Sequence, residues 1–469
     1  MSDTIAAIST APGEGGIGVV RVSGDKSIDI MRRLMKNCPE KIVPRHAYFG
    51  TVVRDSKDPS SEIIDEAIFI YMKSPFSYTG EDMLEIQGHG SNVSLKNILS
   101  AILDSDSQVI RMADPGEFTK IAFLNGKMDL SQAEAVIDII KAKTDLSLEI
   151  AQSQREGRLG DNIRKIRETL LNILAEMAVD IDYPDDDYND SLEIHSDIVN
   201  ELRWVLDDVE KLLDTASIGK IAREGIRTVI VGKPNAGKSS LMNAILGEGR
   251  VIVTDIPGTT RDTVEENVSL GGIPIVLIDT AGLRESENTV EKIGIERTVK
   301  AIAGADILML VIDGSKPLDI EDEKVISYVE KMNHDNILVV INKEDLGSSV
   351  SEDEIISRLP GIKTIITSLV GKGSIEAAHN ISEIIAEMIN VSSVNIREMN
   401  IITNERHIKM LKNAIMNLDE AISMLQNGEP IEVAELSAHY AYDSLGNIIG
   451  EDVGDEILNT VFSKFCLGK

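Results

Sequence analysis

The sequence predicts an α/β and α fold: an N-terminal α+β domain, a discontinuous helical domain, and an α/β module inserted between the two helical segments. Short β-type apolar runs dominate up to about residue 118. Helical spacing dominates residues 119 to about 218 and returns beyond about 397, and strands alternate with helices in between. The predicted boundaries are therefore 1–118, 119–220, 221–385 and 386–469.

The composition limits the possible functions. A net charge of -31 argues against autonomous, non-specific binding to nucleic acid, and 3% aromatic residues leave few platforms for stacking bases. Two cysteines provide no disulfide framework, which fits a reducing cytosol. The first residues carry no basic n-region and the apolar runs are strand-sized, so we expect no signal peptide, no membrane span and a cytoplasmic location.

The N-terminal part contains apolar runs that predict strands at 17–22, 67–72 and 83–86. A glycine-rich stretch, Gly13 to Gly18, fits the dinucleotide-binding pattern G-x-G-x-x-G. That pattern requires a helix directly afterwards, whereas Val19 to Gly24 has the composition of a strand ending in a turn. We therefore expect these glycines to form a loop without dinucleotide binding.

Helical regions flank the inserted module on both sides. Apolar residues recur every three or four positions in each of them, which is typical of an amphipathic helix. These helices need a partner face, and the two flanks offer one to each other. The spaced residues are Ile163, Ile166, Leu170, Ile173 and Met177, then Ile198, Leu202, Val205, Val209 and Leu212, and finally Ile408, Leu411, Ile415, Leu418, Ile422 and Leu425.

The inserted module begins with a complete phosphate-binding loop, Gly232 to Ser239, between a strand-like and a helical run. Backbone N–H groups and the following helix N-terminus cradle phosphates, Lys238 reaches the β/γ oxygens, and Ser239 binds Mg²⁺. The predicted nucleotide contacts in this segment are Asn235, Ala236, Gly237, Lys238, Ser239 and Ser240.

Two further motifs, each after a strand-like run, make the module a P-loop (Ras-like) GTPase domain. Asp279, Thr280, Ala281 and Gly282 supply a carboxylate near Mg²⁺ and a close backbone approach to the γ-phosphate. Asn342 and Lys343 precede Asp345, whose carboxylate can accept hydrogen bonds from the N1–H and N2 amino groups of guanine; adenine has neither group. Ser368 and Leu369 stand where a further contact to the guanine edge is expected.

A predicted switch segment lies between the first two motifs, and Thr260 is its expected second hydroxyl on Mg²⁺. Leu283 occupies the position where many GTPases carry a water-orienting glutamine. Arg284, Glu285 and Glu291 are the nearby candidates for orienting water or countering charge, and the residues alone leave them open. The segment consists of Thr254, Asp255, Ile256, Pro257, Gly258, Thr259, Thr260, Arg261 and Asp262.

Motifs along the whole chain resemble the MnmE (TrmE) family of tRNA-modification GTPases. They include the switch segment, Leu283, and the terminal run Phe465 to Lys469. The N-terminal part adds Ala11-Pro12-Gly13, Tyr78-Thr79-Gly80-Glu81-Asp82, Gly88-His89-Gly90, Pro115-Gly116-Glu117-Phe118 and Leu124-Asn125-Gly126-Lys127.

For the GTPase domain, the resemblance implies K⁺-dependent pairing of two such domains in a homodimer formed through the N-terminal domains. The side chain of Asn235, the backbone of Thr254 and Ile256, and Thr259 match the family's K⁺ ligands. By this resemblance, K⁺ occupies the position at which an arginine guanidinium counters the transition-state charge in other GTPases. Glu291 matches the family's water-orienting glutamate.

For the N-terminal domain, the resemblance implies a site for 5-formyl- or methylene-tetrahydrofolate, formed by Arg21, Glu85, Lys127 and Lys469. An FAD-carrying partner of the MnmG type, in a heterotetramer, completes the reaction. Together they place an aminomethyl or carboxymethylaminomethyl group on C5 of the tRNA wobble uridine. Cys466 is a candidate catalytic residue or a small buried apolar residue.

Three departures from the family pattern stand out. Glu14 replaces a common arginine, Lys120-Ile121 replaces Glu-Arg or Thr-Arg, and Thr367-Ser368-Leu369 replaces the usual Ser-Ala motif. Two other functions remain possible at this stage: a ribosome-assembly or signalling GTPase, and a folate-dependent transferase with a vestigial GTPase. The acidic C-terminal helices disfavour the first, and the intact phosphate and guanine motifs disfavour the second.

Overall fold

The structure is a computed structural model, and it forms two compact units. The first comprises residues 1–137, 154–205 and 413–469, and the second comprises 138–153 and 206–412. For residues 188–195, 248, 250, 251, 265, 279 and 332, only the backbone is described. The described residues are 3–182, 188–248, 250–251, 265–270, 272–279, 302, 304–332, 334, 336–371, 373–389, 400–451 and 453–469.

A mixed sheet dominates the N-terminal part of the first unit. Its strand order is β3-β4-β5-β2-β1-β6; β1 pairs with β6 in parallel, and the other pairs are antiparallel. Helices α1 and α2 cover one face. The elements are β1 (Thr4–Ile8), β2 (Gly15–Ser23), α1 (Ser27–Leu34), β3 (Ala47–Val53), β4 (Ile63–Met72), β5 (Met83–Gly90), α2 (Asn92–Leu103) and β6 (Ile110–Met112).

The predicted strands at 17–22, 67–72 and 83–86 are confirmed within β2, β4 and β5. The expectation of a loop at Gly13 to Gly18 is only partly right, because β2 already begins at Gly15. A Cβ on Gly18 would come within 2.5 Å of the Leu95 side chain, so a larger residue there would force Leu95 of α2 to shift. No helix follows these glycines, as expected.

The helices on both sides of the module are present at the predicted periods. Their order is α3 (Glu117–Leu124), α4 (Leu130–Lys141), α5 (Asp145–Arg155), α6 (Arg158–Asp182), α7 (Tyr188–Asp214) and α8 (Ala216–Glu224), and after the module α13 (Glu405–Gln426), α14 (Ile431–Ile449) and α15 (Asp455–Phe462). In the first unit α6 packs against α14, so helices from the two flanks do meet. None of the described helices is both long and apolar enough to cross a membrane.

The second unit contains a sheet ordered β13-β12-β11-β7-β10-β9-β8, in which β13, β12, β11, β7 and β10 are parallel. Helices α9 and α12 pack on one face, and α10 and α11 on the other. The elements are β7 (Ile226–Val231), α9 (Lys238–Glu248), β8 (Arg250–Val251), β9 (Glu265–Leu270), β10 (Ile273–Asp279), β11 (Ile307–Asp313), α10 (Ile320–Met332), β12 (Ile337–Asn342), α11 (Glu352–Arg358), β13 (Lys363–Thr367) and α12 (Gly373–Met388), with a 3₁₀ turn at Glu344–Leu346.

Burial on both faces explains the near-continuous apolar strands of this sheet. Every residue of β11 and of β12 is buried, and side chains alternate between the two helical layers. Polar residues cluster only where these strands end. In open α/β sheets, ligands bind outside the carboxyl ends of the parallel strands. The phosphate loop after β7, Asp279 at the end of β10 and the guanine motif at the end of β12 therefore lie at the edge where a ligand is expected.

Candidate functional site

The phosphate-binding loop follows β7 directly and passes into α9, as the motif predicts. Gly232 and Gly237 have φ of 153° and 113°, a region that favours glycine. A Cβ on Gly232 would overlap the Val311 carbonyl oxygen, and one on Gly237 would overlap Nδ2 of Asn342. The loop backbone is therefore held close to β11 and to the guanine motif, which leaves no space for a side chain at either glycine.

Lys238 begins α9, and Ser239 and Ser240 follow it in the first turn. The Lys238 ammonium donates to the carbonyl oxygens of Gly232 and Lys233, both at 2.9 Å, so it lies over the loop. Asn235 adopts the left-handed conformation, with φ of 65°. These residues place an ammonium, backbone N–H groups and a helix N-terminus together, which is the arrangement that binds phosphate.

The predicted guanine motif lies at the end of β12 and is tied to the phosphate loop. Nδ2 of Asn342 donates to the Ala236 carbonyl at 2.9 Å, and Oδ1 accepts the N–H of Leu369 at 3.2 Å. Asn342 is buried. Ser368 donates to Oδ1 of the exposed Asp345 at 2.7 Å, which orients this carboxylate. Three segments distant in sequence thus meet at one site.

Part of the predicted nucleotide and metal set lies outside the described residues. This applies to the switch segment with Thr254, Asp255, Ile256, Pro257, Gly258, Thr259 and Thr260, to Thr280, Ala281 and Gly282, and to Leu283, Arg284, Glu285 and Glu291. Asp279 ends β10 at the ligand edge, and only its backbone is described. Across the described part of the chain, no group of three or more His, Cys, Asp or Glu forms a metal-binding cluster.

Of the proposed folate residues, the first unit brings together Arg21, Glu85 and Lys469. Arg21 on β2 lies directly opposite Glu85 on β5. Its Nε and Nη2 donate to Oε1 of Glu85 at 3.0 and 2.9 Å, and both side chains are largely buried. The guanidinium lies 5.7 Å from the centre of the Tyr78 ring and 5.9 Å from that of Phe118. An ion pair flanked by aromatic rings suits a flat, partly charged ligand.

The C-terminal tail reaches the same ion pair. Nη1 of Arg21 donates to the Gly468 carbonyl at 3.4 Å, and the Cys466 carbonyl accepts the N–H of Gly116 at 3.4 Å. Gly468 has φ of 83°, and a Cβ there would come within 2.5 Å of the Ile8 carbonyl oxygen. The tail is therefore fitted against β1. Phe462 and Phe465 pack beneath it with α4.

Charges around the last residue reflect this convergence. Burial, and after it the positive charge of Arg21, lowers the pKa of the Lys469 ammonium, while Cys466 and Glu85 oppose the shift. The Cys466 side chain is exposed beside this group, so the reading of a small buried apolar residue is wrong. Lys127 lies apart: its ammonium donates to the Pro75 carbonyl at 3.1 Å, on the loop that carries Tyr78.

Sequence reasoning missed several residues that border these sites. Ser23, two positions beyond Arg21 on the same face of β2, donates to Glu81 at 2.8 Å, and burial raises the pKa of Glu81. In the second unit, Asp313 pairs with Lys343 and Asp322 pairs with Lys233. Asp313 had a usable signal, since it is a charged residue at the carboxyl end of a buried parallel strand.

The fold and the phosphate and guanine motifs define a P-loop GTPase. Residues 4–127 match the family model described as the GTP-binding protein TrmE N-terminus, and residues 130–466 match the MnmE helical domain. The chain belongs to the MnmE family of tRNA modification GTPases, and it is a GTP hydrolase of that family. Membership supports the use of nucleotide with Mg²⁺.

Individual relatives in this family align with the chain over all or nearly all of their length. The tRNA modification GTPase MnmE of Clostridioides difficile (strain 630) is 43% identical over 474 residues, covering 100% of both chains. That of Geobacillus thermodenitrificans (strain NG80-2) is 42% identical, covering 100% of this chain and 99% of the relative. Among solved structures, the G domain of the T. maritima FeoB iron transporter is 25% identical and covers 35% of this chain and 98% of that chain. Its TM-score of 0.26 is too low to carry weight.

Proposed function

We propose that this protein is a potassium-dependent GTPase that modifies C5 of the wobble uridine in tRNA, together with a flavoprotein partner. The added group is aminomethyl or carboxymethylaminomethyl, and its one-carbon unit comes from a tetrahydrofolate. Family membership favours tRNA modification over ribosome assembly or signalling. The observation that carries the finer proposal is the convergence of Arg21, Glu85 and the Gly468–Lys469 tail, because it brings charged groups from both ends of the chain to one place where they can bind a shared ligand.

The chemistry of this convergence suits a folate. Arg21 and Lys469 offer positive charge to an anionic group, and Glu85 can accept hydrogen bonds from the N–H groups of a pterin. Lys127 borders the site through the loop carrying Tyr78, so its contact with ligand requires the side chain to leave the Pro75 carbonyl. A bound folate would supply the one-carbon unit. Cys466, exposed beside Lys469, is the side chain we propose to act in the modification.

The proposed partners follow from the same surfaces. Phe49 on β3 is 71% exposed and lies opposite Ile68 of β4, on the sheet face away from α1 and α2. A second copy covering this face would bury that apolar surface, which supports a homodimer through the N-terminal region. The net charge of -31 supports a basic partner that carries much of the tRNA contact. We place the protein in the cytoplasm, where its tRNA substrate is.

Nucleotide chemistry in the proposal relies on K⁺ and Mg²⁺. Asn235, in the left-handed conformation within the phosphate loop, is the described member of the proposed K⁺ set, and Ser239 that of the Mg²⁺ set. Glu291 is proposed to orient the attacking water. K⁺ beside the phosphates would offset the negative charge that develops in the transition state.

The direct test is mass spectrometry of wobble uridines in tRNA from cells lacking this protein, complemented with wild type or Arg21→Ala. We expect wild type to restore the modification and Arg21→Ala to fail. Calorimetry with 5-formyltetrahydrofolate should show that Arg21→Ala no longer binds. Arg54→Ala removes an exposed arginine with ion pairs at 3.6 and 3.9 Å and is the matched control. Unchanged folate affinity in Arg21→Ala would overturn the folate site. If this variant binds folate normally but still fails to modify tRNA, Arg21 acts in a step other than folate binding.

A further inference from the structure

The loop that joins β11 to α10, residues 313–319, contacts both halves of the nucleotide site. It starts at Asp313, where β11 ends, and finishes at Asp319, immediately before α10. None of the phosphate, switch or guanine motifs includes this loop. Its first residue is bonded to the guanine motif, and its last is bonded to the phosphate loop.

At the guanine end, Asp313 is buried and its two oxygens have separate partners. Oδ2 accepts the Lys343 ammonium at 2.7 Å, and Oδ1 accepts the Ser315 hydroxyl at 2.6 Å. The N–H of Gly314 donates to the Asn342 carbonyl at 2.8 Å. Burial would raise the pKa of Asp313, but the bonds from Lys343 and Ser315 hold it below its ordinary value. The start of the loop is therefore fixed to two successive residues of the guanine motif.

At the phosphate end, two aspartates cap α10 and bind Lys233 at the same time. Oδ1 of Asp319 accepts the N–H groups of Glu321 and Asp322 at 2.9 and 3.0 Å, and Oδ2 of Asp322 accepts the N–H of Asp319 at 3.1 Å. The Lys233 ammonium donates to Oδ2 of Asp319 at 2.9 Å and of Asp322 at 2.6 Å. Lys233 belongs to the phosphate loop, and its own carbonyl accepts the Lys238 ammonium.

The burial of these pairs suggests a positional role. Lys233 is 11% exposed and Asp322 is 4% exposed. Buried ion pairs contribute little net stability, because desolvation offsets their attraction, but they fix geometry when every oxygen is bonded. The charge of Lys233 is already met by two carboxylates, so Lys233 is not available as a phosphate ligand. Its function is better sought in holding the loop backbone that contacts phosphate.

We propose that the 313–319 loop is a strut that sets the separation between the phosphate loop and the guanine motif, with Asp313 and Asp322 as positioning residues for GTP. The base and the phosphates of a nucleotide are covalently joined. If the phosphate loop and the guanine motif shift apart by even about 1 Å, one nucleotide cannot make all its contacts with both. A substitution at one end of the site therefore also weakens contacts at the other end.

A cross-end measurement tests the strut. Asp322→Asn keeps an oxygen that can cap α10 but removes the charge that holds Lys233. We expect GDP affinity to fall about tenfold, and the preference for GDP over inosine diphosphate, which lacks the N2 amino group, to fall at least about threefold. Asp322 contacts only the phosphate end in the described structure, so an unchanged preference would overturn the strut.

Further variants separate positioning from general destabilisation. Lys233→Arg should retain GDP affinity, whereas Lys233→Met should reproduce Asp322→Asn. The double variant Asp313→Asn with Asp322→Asn should lose less than the product of the two single losses, since releasing one end already frees the strut. Glu323→Gln, also on α10, breaks an exposed pair with Arg358 of α11 and is the control, with no change expected in GDP affinity or preference. Strictly multiplicative losses, or an equal loss in the control, would contradict the proposal.

Discussion

The carboxylate of Asp345 illustrates how one residue gains its role from its neighbours. The side chain is exposed and unconstrained by packing, yet the Ser368 hydroxyl binds one of its oxygens at 2.7 Å. This bond leaves the second oxygen and the remaining lone pairs to accept further hydrogen bonds, which the proposed recognition of guanine N1–H and N2–H requires. The departure at Leu369 from the family pattern does not disturb the arrangement, because its backbone N–H supplies the contact to Asn342.

We expect Asp345→Asn to change which nucleotide is preferred. The amide NH₂ places a donor opposite the N–H donors of guanine, whereas xanthine carries a carbonyl in place of the 2-amino group, and the amide can donate to that carbonyl. The ratio of GTP to xanthosine triphosphate affinity should fall at least about 100-fold. Competition binding with labelled GDP measures it. A variant that keeps the wild-type ratio would show that Asp345 does not recognise the base.

A second residue-scale feature is the pair between Asp65 and His89. Oδ1 of Asp65 binds Nδ1 of His89 at 2.6 Å, and Oδ2 accepts the Ser94 hydroxyl and the His89 N–H. The hydrogen bond and charge of Asp65 raise the pKa of His89 above 6.5. Burial would raise the pKa of Asp65, but the bonds from Ser94 and His89 lower it.

These shifts predict a pH-dependent contribution to stability. The raised pKa of His89 stabilises the fold fully below about pH 6.5, and this contribution is lost as pH rises through the folded-state pKa. The lowered pKa of Asp65 contributes above its ordinary value and is lost as pH falls through the folded-state pKa. Histidine NMR titration, assigned with His89→Gln, should give a pKa above 6.5 that Asp65→Asn reduces. An equal His89 pKa in both proteins would rule out the pair in solution.

At the scale of elements, Arg167 joins α6 to α14. Its guanidinium lies 3.9 Å from the centre of the Tyr442 ring, its Nε donates to the Tyr442 carbonyl at 3.2 Å, and Nη1 pairs with Glu451. Gly446 lies directly beneath, where a Cβ would come within 2.9 Å of the guanidinium. Two helices separated by the whole GTPase module are thus connected by a buried arginine that bonds through Nε and Nη1.

Removing this arginine should weaken the helical flank. We expect Arg167→Ala to lower the free energy of unfolding by about 1–3 kcal/mol, since Glu451 is half exposed and can be hydrated after the loss. Denaturant unfolding followed by circular dichroism measures the change. Lys165→Ala, at an exposed position on the same helix, should have an effect within about 0.5 kcal/mol. Equal effects of the two variants would mean that Arg167 does not connect the helices energetically.

For the whole molecule, the proposed mechanism couples cation binding to pairing of GTPase domains. Leu283 cannot orient water, and Asn235 of the phosphate loop is the described member of the proposed K⁺ ligands. K⁺ would offset charge between the phosphates and favour the paired state, so hydrolysis and association should respond to the same ion. The strut, residues 313–319, would keep the separation between the phosphate loop and the guanine motif constant while the GTPase domains pair.

Replacing K⁺ by Na⁺ should therefore slow GTP turnover and weaken association together. Glu291→Ala should lower kcat about 100-fold or more with little change in GTP affinity, because a water-positioning group acts mainly in the transition state. Steady-state hydrolysis in matched salts, with light scattering of the full chain, measures both quantities. Equal rates in the two salts would refute the potassium mechanism and return Arg284 to candidacy.

The sequence by itself determined the phosphate loop, the guanine motif and the helical and strand periods. Each is a contiguous pattern, because backbone N–H groups of neighbouring residues bind phosphate and a single face of one element forms the core. The family resemblance predicts Arg21, Glu85, Lys127 and Lys469 as folate residues. Their spacing in the sequence does not show whether they lie close together in the fold.

The tertiary structure decided which distant residues meet. Arg21 reaches Glu85 through the register of β2 and β5, and reaches the tail only because Gly468 fits against β1. The Lys127 ammonium instead contacts the Pro75 carbonyl of a neighbouring loop. Likewise, the pairs of Asp313 with Lys343 and Asp322 with Lys233 depend on where the loop after β11 crosses the ligand edge of the sheet. Such contacts arise from the packing of elements, which has no period in the sequence.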